Sequence, residues 1–97
     1  MLDGYHILTL THRNAPLEAI GQAIVPADDA QQRLCELKSR FGWSELLYLS
    51  TCNRVMYLFY SPSAVDETFI GEAVSLIRPG LAGSEVAFIA SRMRLLH

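Results

Sequence analysis

The sequence predicts an α+β fold of the ferredoxin-like βαββαβ type, one antiparallel sheet with helices packed on one face. Three observations predict it. Runs with strand chemistry stand at "YHILTLT", "ELLYLS" and "VMYLFY". Segments with helical spacing follow the first run and the third. The second and third runs are parted only by Thr51 to Arg54, which makes them a hairpin. One sheet with helices on a face is the economical way to bury such a set.

Taken in order, Tyr5 to Thr11 is β-branched and apolar and reads as the first strand. "HRNAP" breaks it, because Asn14-Ala15-Pro16 is turn chemistry and Pro16 is suited to open a short helical turn over Leu17 to Gln22. The clearest helix begins at Pro26. Asp28 and Asp29 fall in its first turn and Lys38 and Arg40 near its end, an order that complements the helix dipole. Ala30, Leu34, Leu37 and Phe41 form its apolar face, and Gly42 supplies the stop. Cys35, beside Leu34, reads as a small buried side chain.

The two hairpin strands are almost continuously apolar, so burial on both faces is expected of each. Ser63 and Asp66 have capping-box spacing, and Phe69, Ile70, Ala73, Val74 and Ile77 form a second helical stripe ended by Pro79-Gly80. In the tail, Ser84 to Ala90 suits a short helix. Arg92-Met93-Arg94-Leu95 alternates like a strand, whose two arginines read as a solvated face or as a phosphate contact.

Composition narrows the function classes. Ninety-seven residues, 51% of them hydrophobic, suit one domain with a core of its own. A chain of this size buries about 65% of its unfolded surface. The net charge of −2 argues against a stand-alone nucleic-acid binder. Seven of the eight basic residues are arginine, the residue better suited to planar carboxylate or phosphate groups. No apolar run approaches the ~18 residues of a membrane span. "MLDGYHILTL" lacks the basic n-region and cleavage site of a signal peptide, so a reducing cytoplasm is the expected setting. The two cysteines, Cys35 and Cys52, do not form a CxxC pair. With scattered His6, His12 and His97 they offer no zinc spacing, and no metal site is expected. The dispersed glycines make neither a P-loop nor a dinucleotide fingerprint.

Cys52 is the residue that calls for explanation. A thiol among Thr51, Asn53 and Arg54 at a hairpin turn is either an incidental loop cysteine or a nucleophile. Arg54 stands near enough to bring positive charge to a thiolate or to a bound carboxylate. Thr51 and Asn53 add donors and acceptors for a substrate carbonyl. His12, at the end of the first strand beside Arg13 and Asn14, is placed to line such a site. His6 falls within the strand and reads as structural.

Ser50-Thr51-Cys52-Asn53-Arg54 resembles the active-site signature of the glutamyl-tRNA reductases, Ser-Thr-Cys-Asn-Arg between two strands, and matches it in full. "LTHRNAPLE" is similar to the family's N-terminal His-Lys-Thr-Ala-Pro segment, at about the right distance before the cysteine. With the strand order, the resemblance covers essentially residues 1–97, as a single N-terminal catalytic domain.

The resemblance implies that Cys52 is the nucleophile, forming a thioester with the glutamyl group of glutamyl-tRNA. It further implies an NADPH-dependent reduction to glutamate-1-semialdehyde in tetrapyrrole (porphyrin and haem) biosynthesis. A thiol suits such covalent catalysis. Thr51, Asn53 and Arg54 become substrate-binding residues, Arg54 as a bidentate partner for a glutamate carboxylate. NADPH is expected on a domain outside this chain, and a homodimer is expected through a C-terminal region.

The chain departs from the family at three places. Met56 stands where an acidic residue is usual, and "AIGQ" replaces a common Arg-Glu pair after the Ala-Pro segment. The family's functional histidine, in a His-Leu-Phe-like helix, is expected just beyond His97, with His97 itself preceding that helix. Two other readings remain beside the enzyme: a non-catalytic small-ligand module, and a domain-interaction module whose strand aromatics Tyr48, Tyr57, Phe59 and Tyr60 exceed what two helices can cover.

Overall fold

In a computed structural model, which describes residues 3–96, four strands form one antiparallel sheet. The strands are β1 (Tyr5–Thr11), β2 (Glu45–Thr51), β3 (Arg54–Tyr60) and β4 (Arg94–Leu96), in the spatial order β2-β3-β1-β4. The first crossover carries α1 (Leu17–Ala23) and α2 (Ala30–Phe41). The second carries α3 (Ile70–Ile77) and α4 (Gly83–Arg92). This is the ferredoxin-like arrangement, with two helices in each crossover.

Strand alternation sorts the sheet into two faces. Leu8 and Leu10 of β1 with Val55, Tyr57 and Phe59 of β3 are buried beneath Ile20, Leu37, Ile70, Val74, Ile77 and Ile89 of the helices. Their register neighbours on the other face, Ile7, Met56, Leu58, Leu47, Leu49 and Leu96, are only half-buried or exposed. The expectation that both hairpin strands are buried on both faces is therefore wrong. Helices cover one face alone, and β2 is an edge strand whose Leu47 and Leu49 are 52% and 55% exposed.

The covered side is held by aromatic stacking and a few buried polar links. The Trp43 ring lies 3.8 Å from that of Phe59, with Phe41 and Phe69 packed around the pair. His6 is buried against Phe59. The Tyr57 hydroxyl donates to the Ala23 carbonyl at 2.8 Å, and the Val25 N–H donates to the Tyr48 oxygen at 3.0 Å. Arg78 donates to the Gly21 and Ile24 carbonyls, which satisfies the C-terminal end of α1. Of the four strand aromatics, Tyr57 and Phe59 are buried, Tyr48 is half-buried on the same side, and Tyr60 packs against Tyr5 on the other.

Several local expectations are refined. The segment after Pro26 opens as a 3-10 turn, Ala27–Asp29, before α2. Gly42 ends α2 in the left-handed region at φ 69°, a conformation that favours glycine. Ser63 and Asp66 make no capping box. Asp66 is itself the cap of the turn leading into α3, accepting the Thr68 N–H and hydroxyl at 2.9 and 2.6 Å, and these bonds lower its carboxyl pKa. Ser63 instead offers its carbonyl to Ser61.

Cys35 is exposed rather than buried, since one step of about 100° along α2 turns it away from the Leu34 and Leu37 stripe. The tail helix runs on through Arg92, whose guanidinium lies 5.3 Å over Phe88, so only Arg94 of the two tail arginines belongs to the strand. The position of His97 lies outside the described residues.

Candidate functional site

The hairpin between β2 and β3 is tighter than the sequence spacing suggests. Thr51 pairs with Arg54, leaving Cys52 and Asn53 as a two-residue turn. The Thr51 hydroxyl oxygen accepts the Asn53 N–H at 3.2 Å, closing the turn locally. Neither turn residue has a positive φ, and Cys52 is exposed at the tip.

Pairing of β1 with β3 brings a second loop alongside. Thr11 is opposite Arg54, and the His12 N–H donates to the Asn53 carbonyl at 3.0 Å. The segment after Thr11 folds back on that residue. Asn14 and Ala15 donate their N–H groups to its carbonyl, while its hydroxyl donates to Asn14 Oδ1 at 2.9 Å and accepts the Arg13 N–H at 3.3 Å. Pro16 then caps α1, its carbonyl accepting from Ala19 and Ile20. The two segments singled out in the sequence, 12–14 and 51–54, are thus joined at one end of the sheet by a backbone hydrogen bond.

Beside them, on the open face, is a cavity of about 470 Å³. Its floor is Ile7, Thr9 and Met56, and its walls include His12, Arg13, Arg54 and Arg94. Thr9 is nearly buried here despite lying on the open face. It sits between Met56 and Arg94 in the register and donates its hydroxyl to the Val55 carbonyl at 2.9 Å. No carboxylate stands among the described residues lining the cavity.

Of the residues proposed from sequence, Arg54 and His12 line this cavity. Thr51, Cys52 and Asn53 form the hairpin turn next to it and are not part of its lining. Met56, the departure noted above, is on the cavity floor. Arg13 and Arg94 are lining residues that spacing alone could not assemble. Arg94 reaches the site because β4 pairs with β1 so that Arg94 is opposite Thr9. The signal was present in the alternation of Arg92-Met93-Arg94-Leu95, but the pairing partner is set by the fold.

The described residues assemble neither a metal-binding cluster nor a glycine-rich dinucleotide turn. No group of three His, Cys, Asp or Glu side chains close enough for a metal ion occurs among the described residues. The connections from β1 to α1 and from β3 to the turn before α3 contain no glycine, so neither can form the glycine-rich phosphate turn of a dinucleotide site. These two connections therefore offer NADPH no dinucleotide-binding turn. No described helix is long and apolar enough to cross a membrane.

Comparison with known proteins bears on the family and the fold. The chain resembles glutamyl-tRNA reductase 2 of Anaeromyxobacter dehalogenans (strain 2CP-C), with 29% identity over 86 residues covering 74% of this chain and 19% of that protein. It superimposes on the glutamyl-tRNA reductase of Methanopyrus kandleri with a TM-score of 0.63 and 19% identity, covering 99% of this chain and 19% of that one, a likeness of fold. The chain spans 19% of the length of each of these two proteins. The family model described as glutamyl-tRNA(Glu) reductase, N-terminal domain, matches residues 8–89, and the chain belongs to that family.

Proposed function

We propose that this chain is the glutamyl-accepting domain of a glutamyl-tRNA reductase, acting in tetrapyrrole synthesis, with Cys52 as the acyl acceptor and Arg54 as the carboxylate-binding residue. The observation that carries the reading is the joining of the Cys52 turn to the His12 loop at the mouth of an arginine-lined cavity, in a chain of this family. The Cys52 thiolate attacks the carbonyl of the ester that links glutamate to the RNA. A C–S bond forms, the C–O bond breaks, and the departing ribose oxygen takes up a proton, leaving a thioester and free RNA. Among the described lining residues, His12 carries the imidazole, a side chain with one nitrogen donor and one nitrogen acceptor when neutral. Arg54 fixes the glutamyl side-chain carboxylate in a bidentate pair, which directs the ester toward the turn. Thr51 shapes the turn through its hydrogen bond to Asn53, and the Asn53 side chain is exposed beside the thiol and free to orient the carbonyl.

Reduction of the thioester by NADPH, and dimerisation, belong on this reading to the parts of the relatives' length that this chain does not span. Free rather than bridged cysteines suit a reducing cytoplasm. Alkylation kinetics test the assignment. Iodoacetamide is expected to label Cys52 faster than Cys35, which is also exposed, and a glutamate ester analogue to protect Cys52 alone. Equal rates with no protection would reject the nucleophile. The exposed Leu47 and Leu49 favour a second reading, a domain-interaction module; it would be preferred by that same result.

A further inference from the structure

The seven arginines divide into two groups. Arg33 faces Asp29 and Glu36, Arg40 pairs with Glu72, Arg78 donates to two carbonyls and Arg92 lies over Phe88. Arg13, Arg54 and Arg94 make no ion pair and no side-chain hydrogen bond with any other described residue, and all three line the same open-face cavity. Met56, on its floor, contributes no counter-charge. In a chain of net charge −2, three unpaired guanidiniums in one concavity mark a site for anions.

A single glutamyl carboxylate would answer one of the three. The sheet register shows how the others are disposed. Arg54 is opposite Thr11, while Arg94 lies on the far side of β1, opposite Thr9. The two are separated by about 10 Å across the strands and about 7 Å along them. That backbone spacing leaves each guanidinium room to engage a group of its own, and suits two neighbouring anionic groups.

We propose that Arg94, with Arg13, forms a second anion subsite beside Arg54 that holds a phosphodiester of the RNA 3′ end next to the acyl ester. This rests on the reading of Arg54 and Cys52 given above and assigns the rest of the cavity. The occupant is a phosphodiester rather than a second carboxylate because the substrate of that reading carries one free carboxylate, followed along the chain by phosphates. Arginine binds both groups by the same fork geometry.

The test uses the chain carrying Cys52→Ser and two ligands, a short single-stranded oligonucleotide bearing a 3′-glutamylamide and the phosphate-free glutamate methylamide. Arg94→Ala, on an exposed position of the edge strand, is expected to weaken the oligonucleotide about tenfold. It should also reduce the slope of log affinity against log salt by about 0.7, the loss of one phosphate contact on a single strand, and leave the methylamide unchanged. Arg94→Lys should restore most of the slope. The proposal is overturned by an unchanged slope in Arg94→Ala, by an equal loss for both ligands, or by absence of oligonucleotide binding to the parent chain. Failure of the underlying reading looks different: Arg54→Lys would then leave both ligands unaffected while Arg94→Ala still lowers the salt slope.

Discussion

The two faces of the sheet are built from the same strands yet do different work. On the covered face Phe59 and Tyr57 are almost wholly buried, and every arginine on the helix side has a protein partner. On the open face leucines stand half in water and three arginines have no such partner. On the proposed reading, the contrast separates stability from recognition. Substitutions on one face should change the folding free energy, and those on the other should change ligand binding while the melting temperature stays still.

The largest expected effect lies in the covered face. Phe59→Ala removes the ring stacked on Trp43 and opens a cavity against Phe69, so a loss of about 3–5 kcal/mol is expected in denaturant unfolding. A loss below about 1 kcal/mol would mean that the aromatic cluster is not the packing centre. Next is Tyr57→Phe. It leaves the Ala23 carbonyl without its donor and should cost about 1–3 kcal/mol.

That hydroxyl also predicts a pH dependence. Burial, then the neighbouring Tyr48, pushes the Tyr57 phenol well above its ordinary value of about 10. A group whose folded pKa is raised contributes stability that is complete below the unfolded pKa and is lost as pH rises past it. The chain should therefore weaken above about pH 10, and Tyr57→Phe should flatten that part of the curve. An identical alkaline slope in the variant would contradict the burial.

On the open face, Arg54→Lys keeps the charge but loses the planar fork. About a tenfold weaker binding of a glutamate analogue is expected by calorimetry, with an unchanged melting temperature. A fall in melting temperature instead would make Arg54 structural. The smallest effect is Leu49→Gln, expected within about 0.5 kcal/mol of the parent because the side chain is 55% exposed. A cost comparable to that of Phe59→Ala would show that the open face is covered in solution.

Strand and helix identities were legible because periodicity carries them: β1 runs over the predicted residues, and of the stripe Phe69, Ile70, Ala73, Val74 and Ile77 all are buried but Phe69, which is half-buried in the 3-10 turn before α3. Which face of the hairpin stays open was not. Continuous apolarity in "ELLYLS" describes an edge strand with an uncovered side as well as a central one, and the number of layers is a tertiary property. Cys35 misled because a residue next to a buried one on a helix points elsewhere. At the site, the resemblance pointed to 51–54 and the end of the first strand to His12, and the structure puts these two segments side by side. Arg94 is some forty residues away in sequence, and only the pairing of β4 with β1 brings it to the cavity.

The central claim, that Cys52 accepts the glutamyl group, is tested most directly by intact-mass spectrometry of the chain incubated with glutamyl-tRNA and quenched in acid. The account predicts a single added glutamyl group, released by hydroxylamine, mapped to Cys52 and absent in Cys52→Ser. An unmodified chain, or acylation shared equally between Cys52 and Cys35, would contradict it.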